Sequence, residues 1–489
     1  MLASPAEARN LRHETPSEGA LSLAEESTSL ARELKSRVLL RAIFEIGSVD
    51  PIDAFAPALR HNEGMLWSDG RTGTVVAARG VKRQMRVSRQ ATASAAAFLD
   101  RERRALVQGW YGSGQPSLTE LPLALGAFSF HDGQPEASDP WSGWATHSLT
   151  IPDQMLIRWA GTPTMAVLTM DVDPDDDPDS IAQQLAERRA KMELAMHNTS
   201  PYIAQHANDA TRMHAESRDS WCQRIEGVKR AFLSDALEKV VLARRTHFRA
   251  PEGHAFDAAA TVARLRHDHP DAFVFAVTQG DNRWFVGATP ELLARVSSGR
   301  FDGHALAGTI ANSDHPDEDR ALADELRTSV KNQHEHAVVT RAIESTLQRH
   351  CDRVEVADVP TVRRLTELQH LETSIRGRVR SETALLDIVA DLHPTPAVGG
   401  FPQLEATRFL GDHEDLHRGY YASPVGWIGV RGEGAFAVAL RCALLSEHEA
   451  VAFVGAGIVP DSVPEAEWDE TELKLRTIAQ ALAIRRNAP

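Results

Sequence analysis

The 489-residue chain is 42% hydrophobic and 25% charged, the composition of a globular protein with a large core. Its 68 acidic and 53 basic side chains leave a net charge of −15, which repels polyphosphate and excludes nucleic acid as a partner, although a local basic pocket can still hold a small anion. No apolar run reaches bilayer length, no secretory leader is visible, and three widely spaced cysteines (Cys222, Cys351, Cys442) fit no disulfide framework, so a cytoplasmic protein without membrane partners is expected.

Residues 1–30, rich in Ser, Glu and Ala, are expected to be poorly ordered. Strand text begins at Ser36 with Val38, Leu39, Leu40, Ile43 and Phe44. Met65-Leu66-Trp67 and Thr74 to Ala78 predict a strand pair across the Asp69-Gly70 turn. Alanine-rich text from Thr92 to Gln108 predicts a helix. Leu121 to Phe130 and Leu149 to Met170 return to strand patterning, and Ser180 to His197 predicts an amphipathic helix. Trp221, Ile225, Val228 and Phe232 space a further helix, followed by a strand from Lys239 to Arg244. Phe273 to Thr278 and Trp284 to Val286 predict paired strands, and helical text runs from about Asp317 to His350. Strands resume at Val425 to Leu445 and Val451 to Phe453, before a closing helix. No short repeat or flexible linker divides the chain. Residues 201–217 read only as a seam between a first half with weaker signals (31–210) and a motif-rich second half (211–486). The alternation of strand groups with long helices predicts an α+β or mixed α/β fold.

Some patterns fail when read residue by residue. Asp171, Asp173 and Asp175 imitate the opening of a calcium-binding EF-hand loop. However, Asp176 replaces the sharp-turn glycine and Ala182 the bidentate glutamate, so the loop is read as solvated. Gly455-Ala456-Gly457 lacks the third glycine of a dinucleotide fingerprint, because Pro460 stands there. His334 and His336 lie two apart and point to different sides of a helix, which rules out a zinc-protease pair. Glu335 between them remains a candidate carboxylate.

The stretch from Gly455 to Lys474 reads as a strand end, a glycine turn and a helix start, with Ser462, Pro464 and Glu465 predicting a capping box. Beyond it, Glu467, Glu470 and Lys474 share one helix face. That face is either a solvated pair or a set able to hold a metal and an anion beside free backbone N–H groups. A strand from Phe436 to Arg441 places Ala437, Ala439 and Arg441 on one side. Small residues leading to a guanidinium leave room for a carboxylate ligand, although an edge arginine in solvent shows the same pattern. Lys239, opening an apolar strand, either snorkels to water or serves as a base.

Together these stretches resemble the chorismate-utilising enzymes, and within them the isochorismate synthases. The similarity runs from about Asp219 to Ala483. It rests on Glu238 to Arg244, Gly287-Ala288-Thr289-Pro290-Glu291-Leu292, Leu306-Ala307-Gly308-Thr309 and Glu335-His336. It continues through Gln369-His370-Leu371, Leu392 to Gly400, Arg418-Gly419-Tyr420-Tyr421, Leu440-Arg441-Cys442 and Gly455 to Lys474. The first half is similar more weakly, through Trp67, Leu125 to Phe128 and Leu149 to Pro152. The resemblance implies a single domain, a two-sheet β-sandwich core surrounded by helices, with a cleft that binds chorismate and Mg2+. It implies Glu335 and Glu470 as metal ligands, joined by Glu467 directly or through water. Arg441, Tyr421, Lys474 and the amides of Gly455, Ala456 and Gly457 match positions that hold the substrate's carboxylates, and Gly308, Thr309 and His370 match further substrate-lining positions. Lys239 would activate the water that attacks C2, and Glu291 would protonate the departing C4 hydroxyl.

Within the family, anthranilate synthases carry Gln where Lys239 stands, and the common aminodeoxychorismate synthases carry Lys at the place of Ala307. Both are disfavoured, and no amidotransferase partner is implied. Salicylate synthases share Lys239 and Glu291, but Asn332 stands where they carry an additional acid. Leu392 to Gly400 and Cys442 are more similar to isochorismate synthases, while Ser423 departs from a frequent glycine. The resemblance therefore implies a monomeric isochorismate synthase serving menaquinone or siderophore biosynthesis. The alternatives are a salicylate synthase and a non-catalytic chorismate-binding protein. Retention of Lys239, Glu291, Glu335 and Glu470 together argues against the latter.

Overall fold

A computed structural model describes residues 16–60, 64–87, 92–110, 121–131, 133, 135–197, 210–234 and 237–486, and its long strands sort into two sheets. The larger begins with Thr211–Ala215, Lys239–Arg249, Glu449–Ile458, Cys442–Leu445, Trp284–Thr289 and Phe273–Val277. It continues through Met65–Asp69, Thr74–Arg79, Gln154–Arg158, Met165–Val172 and Val38–Glu45 to Leu106–Trp110. The second sheet orders Cys351–Val356, Leu368–Val379, Arg300–Ala311, Leu292–Ser297, Gly434–Val438, Pro424–Gly429, Pro122–Phe128, His147–Ile151 and Arg83–Val87. Strands from the two halves of the sequence are neighbours in both sheets: Phe275 pairs with Trp67, and Gly426 with Gly126. The seam thus separates no bodies. Residues 201–209 of it lie outside the described residues, and Thr211–Ala215 pairs with Lys239–Arg249.

The period-two alternation of the strands builds two cores. Phe273, Phe275 and Val277 face the space between the sheets with Trp67 and Phe436, and Trp67 meets Trp427 edge-on across that space at 6.3 Å. Val274 and Ala276 face the opposite way, into a core shared with Leu23 of the helix Pro16–Leu34, Phe55 of Pro51–Arg60 and Ile478 of Pro464–Ala481. This is the expected sandwich with helices outside.

Two expectations are corrected. Residues 16–30 are not a loose tail but most of the helix Pro16–Leu34, with Ala20, Leu23, Ala24 and Ala31 buried. Ser27 and Thr28 hid this face in the sequence, yet both are buried because their hydroxyls donate to the Ala24 carbonyl at 2.9 and 2.7 Å. Residues 1–15 lie outside the described residues. The text from Asp317 to His350 is two helices, Pro316–Thr328 and Val330–His350, divided at Ser329, whose hydroxyl accepts from the Asn332 amide. In the acidic loop read as solvated, Arg83 and Lys82 engage Asp171, and the exposed Arg37 holds Asp173 at 2.8 Å. No helix among the described residues is long and apolar enough to cross a membrane.

Candidate active site

Lys239 opens its strand beside Glu449–Ile458, with Val241 opposite Gly457. Its side chain is 2% exposed and donates from Nζ to Glu335 Oε1 at 2.8 Å. A Cβ at position 457 would stand 2.8 Å from Lys239 Cε and 3.1 Å from Glu335 Oε1, so glycine leaves the space this pair fills. At position 455 a Cβ would come within 2.8 Å of the Tyr421 hydroxyl.

The closing helix Pro464–Ala481 turns Glu470 and Lys474 inward as an ion pair at 2.5 Å, and Lys474 also donates to the Gly455 carbonyl at 3.0 Å. Burial opposes ionisation of Glu470, but Lys474, Lys331 and Arg441 together outweigh it and hold the carboxyl below the usual range. Glu467 is raised by burial and by the charge of Glu470, and Lys331 donates to it at 3.1 Å. The predicted capping box is absent. Val463 is the N-cap without a side-chain bond, and Ser462 instead accepts from the Val459 amide, fixing the turn before the helix.

Opposite, a bulge in Arg300–Ala311 sits at Gly308 (φ +76°), between Ala307 and Thr309. The Gly308 carbonyl and the Thr309 hydroxyl lie 3.2 and 3.1 Å from His370 Nδ1. A carbonyl only accepts, so Nδ1 carries the ring proton and Nε2 is an acceptor. Burial, with Arg441 and Lys474 nearby, pushes the His370 pKa down to about 3, which keeps the ring neutral. Asn332 Oδ1 accepts from the Thr309 amide at 3.3 Å.

Arg441 does not end a strand as expected. Gly434–Val438 stops earlier, and Arg441 adopts φ +50° in the turn before Cys442–Leu445. That left-handed conformation is strained for a side chain of this size. The Arg441 guanidinium makes no hydrogen bond or ion pair among the described residues, and burial lowers its pKa. Burial likewise raises the pKa of the Tyr421 hydroxyl. Glu291, 6% exposed, is pushed up to about 7 by burial, against the opposing charges of Lys239, Arg441 and Lys474.

These groups converge. One cavity, with about 70 Å³ of free space, is lined by Lys239, Glu291, Glu335, Glu470, Lys474 and Arg441. Thr309, His370, Tyr421, Gly455 and Gly457 complete its polar wall. Gly308, Ala456 and Glu467 stand behind it: Gly308 holds His370, Ala456 is the register partner of Leu242, and Glu467 meets Lys331. Sequence reading gave no role to the apolar wall of Val241, Leu306 and Val398, because such residues look the same in a core.

The sequence matches the family described as chorismate binding enzyme over residues 24–483. The chain belongs to this family. Among chorismate-binding enzymes it is 32% identical over 464 residues to the salicylate biosynthesis isochorismate synthase of Pseudomonas aeruginosa, spanning 94% of this chain and 93% of that one. It is 29% identical over 461 residues to the isochorismate synthase MenF of Bacillus subtilis, spanning 92% and 95%. Its fold matches the solved structure of MenF, the menaquinone-specific isochorismate synthase from Escherichia coli, with a TM-score of 0.73 at 24% identity, over 94% of this chain and all of that one.

Two further features of this chorismate-binding fold bear on its chemistry. Arg418 and Glu414 form a fully buried pair: Arg418 donates to both Glu414 oxygens (2.6 and 2.8 Å) and to the carbonyls of Val241 (2.6 Å) and Val398 (2.9 Å). Glu414 also accepts from the Ala243 amide at 2.8 Å. The pair ties the Lys239 strand to the opposite wall. The second feature is the carboxylate set. Glu335, Glu467 and Glu470 are hard oxygen donors, and the mutual repulsion of the last two is the kind a dication relieves, so their chemistry fits Mg2+. In this arrangement Lys239, Lys331 and Lys474 engage them, and the described residues contain no group of three or more metal-ligating side chains already drawn together.

Proposed function

We propose that the chain is an isochorismate synthase, adding water at C2 of chorismate and releasing the C4 hydroxyl. The observation that carries this reading is Glu291, a carboxyl still half protonated near neutrality, in the same buried cavity as Lys239. The reaction needs an acid at one ring carbon and a base at another. Glu291 holds the proton for the departing hydroxyl. Lys239, in its neutral amine form and released from Glu335, takes the proton from the attacking water. Arg441, which makes no hydrogen bond or ion pair among the described residues, meets one substrate carboxylate with Tyr421 beside it. Lys474 and the amides of Gly455 and Gly457 serve the other. His370 Nε2 accepts from a ring hydroxyl. Glu335, Glu470 and Glu467 would hold Mg2+, which supplies charge neutralisation at a substrate carboxylate. A monomer acting in the cytoplasm, feeding menaquinone or siderophore biosynthesis, completes the proposal.

The test is the product. Purified protein with chorismate and Mg2+ is expected to give an equilibrium mixture of chorismate and isochorismate by chromatography, with no pyruvate in a lactate-dehydrogenase-coupled assay. EDTA should abolish turnover, and Mg2+ should restore it. Stoichiometric pyruvate with salicylate would overturn the assignment in favour of a salicylate synthase, and chorismate left unchanged would leave a binding protein.

A further inference from the structure

A second cavity of about 270 Å³ lies directly behind Arg441. Its walls come from the turn His269–Ala272, the end of the strand Trp284–Thr289, and the hairpin that joins Thr361–Arg364 to Leu368–Val379. Two residues, Pro290 and Arg441, line both this cavity and the reaction cavity, so they form the partition between them. Of the guanidiniums on the outer wall, that of Arg363 is held by Glu372 at 3.3 Å and that of Arg364 by Asp319 at 3.4 Å. The wall carboxylate of Glu367 accepts from the Thr477 hydroxyl at 3.2 Å, and Asp271 is the other acidic group lining it. Of the three guanidiniums that line this cavity, that of Arg441 alone makes no hydrogen bond or ion pair among the described residues. It rides on a backbone at φ +50° in the turn before Cys442–Leu445, where the Arg441 carbonyl accepts from the Ala288 amide at 3.3 Å while the side chain is left without a hydrogen bond.

Volume makes the partition significant. Sites for small organic ligands span ~300–1,000 Å³. The reaction cavity, at about 70 Å³, falls far below that range, and the second cavity at about 270 Å³ just misses it. Joined by a movement of the Arg441 side chain, they enter it. The Arg441 guanidinium feels the charges of Glu367 on one side and of Glu470 and Glu291 on the other but makes no hydrogen bond or ion pair among the described residues, so it can follow a carboxylate from one side to the other.

We propose that the second cavity is an antechamber for a carboxylate-bearing ring compound, through which substrate and product pass Arg441 to and from the reaction cavity. This rests on the isochorismate synthase reading. It adds to that reading a route and a separate binding surface, made by Ala272, Leu365 and their neighbours, which touch none of the proposed acid, base or metal groups.

The test follows chorismate binding by stopped flow and calorimetry, in protein carrying Glu291→Gln so that turnover is slowed on the order of 10²–10⁴-fold. Ala272→Phe, or independently Leu365→Trp, narrows the antechamber without altering the reaction cavity. Two positions guard against a single variant that fails to fold. With the melting temperature preserved, both variants should lower the association and dissociation rates together, about tenfold, leaving the dissociation constant and a one-to-one stoichiometry unchanged. Rates within twofold of the parent in folded variants would overturn the antechamber. So would a parent stoichiometry of two that either variant reduces to one, since that result marks an independent carboxylate effector site. Chorismate that fails to bind the parent at all would overturn the functional reading and the antechamber with it.

Discussion

At the scale of single residues, Glu291 combines a functional advantage with a cost to the fold. Its carboxyl rises from 4.5 to about 7 because burial penalises its charge. Between those values the unfolded chain releases the proton while the folded chain keeps it, so stability falls as pH rises through that window, by about 3 kcal/mol in all. Glu291→Gln should therefore melt higher than the parent at pH 8 and about equally at pH 4, while turnover falls on the order of 10²–10⁴-fold. Thermal melts at the two pH values, set beside initial rates, test both halves of this statement. A variant that is inactive but no more stable at pH 8 would show that Glu291 is not the strained acid. For the parent, activity should decline above about pH 7 as that proton is lost, and the alkaline decline should vanish in the residual rate of Glu291→Gln. Lys239→Ala should lose a similar factor, on the order of 10²–10⁴, while still binding chorismate. Most of these polar residues were legible before the fold, because the stretches that contain them resemble a family. Glu467, Gly308 and Ala456, which the resemblance implied as site residues, stand one layer back from the cavity wall, since a matched position fixes a place in the chain but not the depth of a cavity.

At the scale of elements, the site depends on close approaches that only particular backbones permit. Gly457→Ala inserts a methyl group against Lys239 and Glu335, and a displacement of about 1 Å at a reacting group costs about 10²-fold. The variant should fold, as judged by circular dichroism, and show that loss in kcat; full activity would mean that the Lys239–Glu335 contact does not position the base. Arg418→Met leaves the buried Glu414 carboxylate uncompensated and should destabilise the protein by about 3–5 kcal/mol. Denaturant titration measures this, and a loss below about 1 kcal/mol would show that the pair is not what ties the walls together. The sequence showed strands with clear alternation or flanking turns, such as Met65–Asp69 with Thr74–Arg79. It showed poorly those whose polar residues find partners only in the fold. Arg300–Ala311 and Leu368–Val379 escaped assignment because His304, Thr373 and His370 interrupt their apolar text, yet these residues are buried and hydrogen-bonded across the second sheet or to the helix beside it. Arg441 was misassigned for a related reason: alternation continues past Val438 in the text, while the backbone turns away.

At the scale of the whole molecule, a chain that reads as a weak half and a strong half is built as one body. A fragment of residues 211–489 lacks the partner of Phe273–Val277 and that of Pro424–Gly429, along with the Trp67 side of the core. It should be insoluble or unfolded by circular dichroism. A soluble, cooperatively melting fragment would show that the halves are separable. The ordering of the larger sheet also has a consequence during synthesis. The strand Lys239–Arg249 has one neighbour, Thr211–Ala215, close behind it in the chain, whereas Glu449–Ile458, its partner along ten register pairs, is made last but for the closing helix and a short terminal strand. At ~5–20 residues per second, the nascent chain must carry that apolar edge unpaired for roughly 10–40 s. For that interval the strand from Val240 to Arg249 keeps an open edge, and a chaperone able to shield such an edge would govern how much of the protein reaches its folded state.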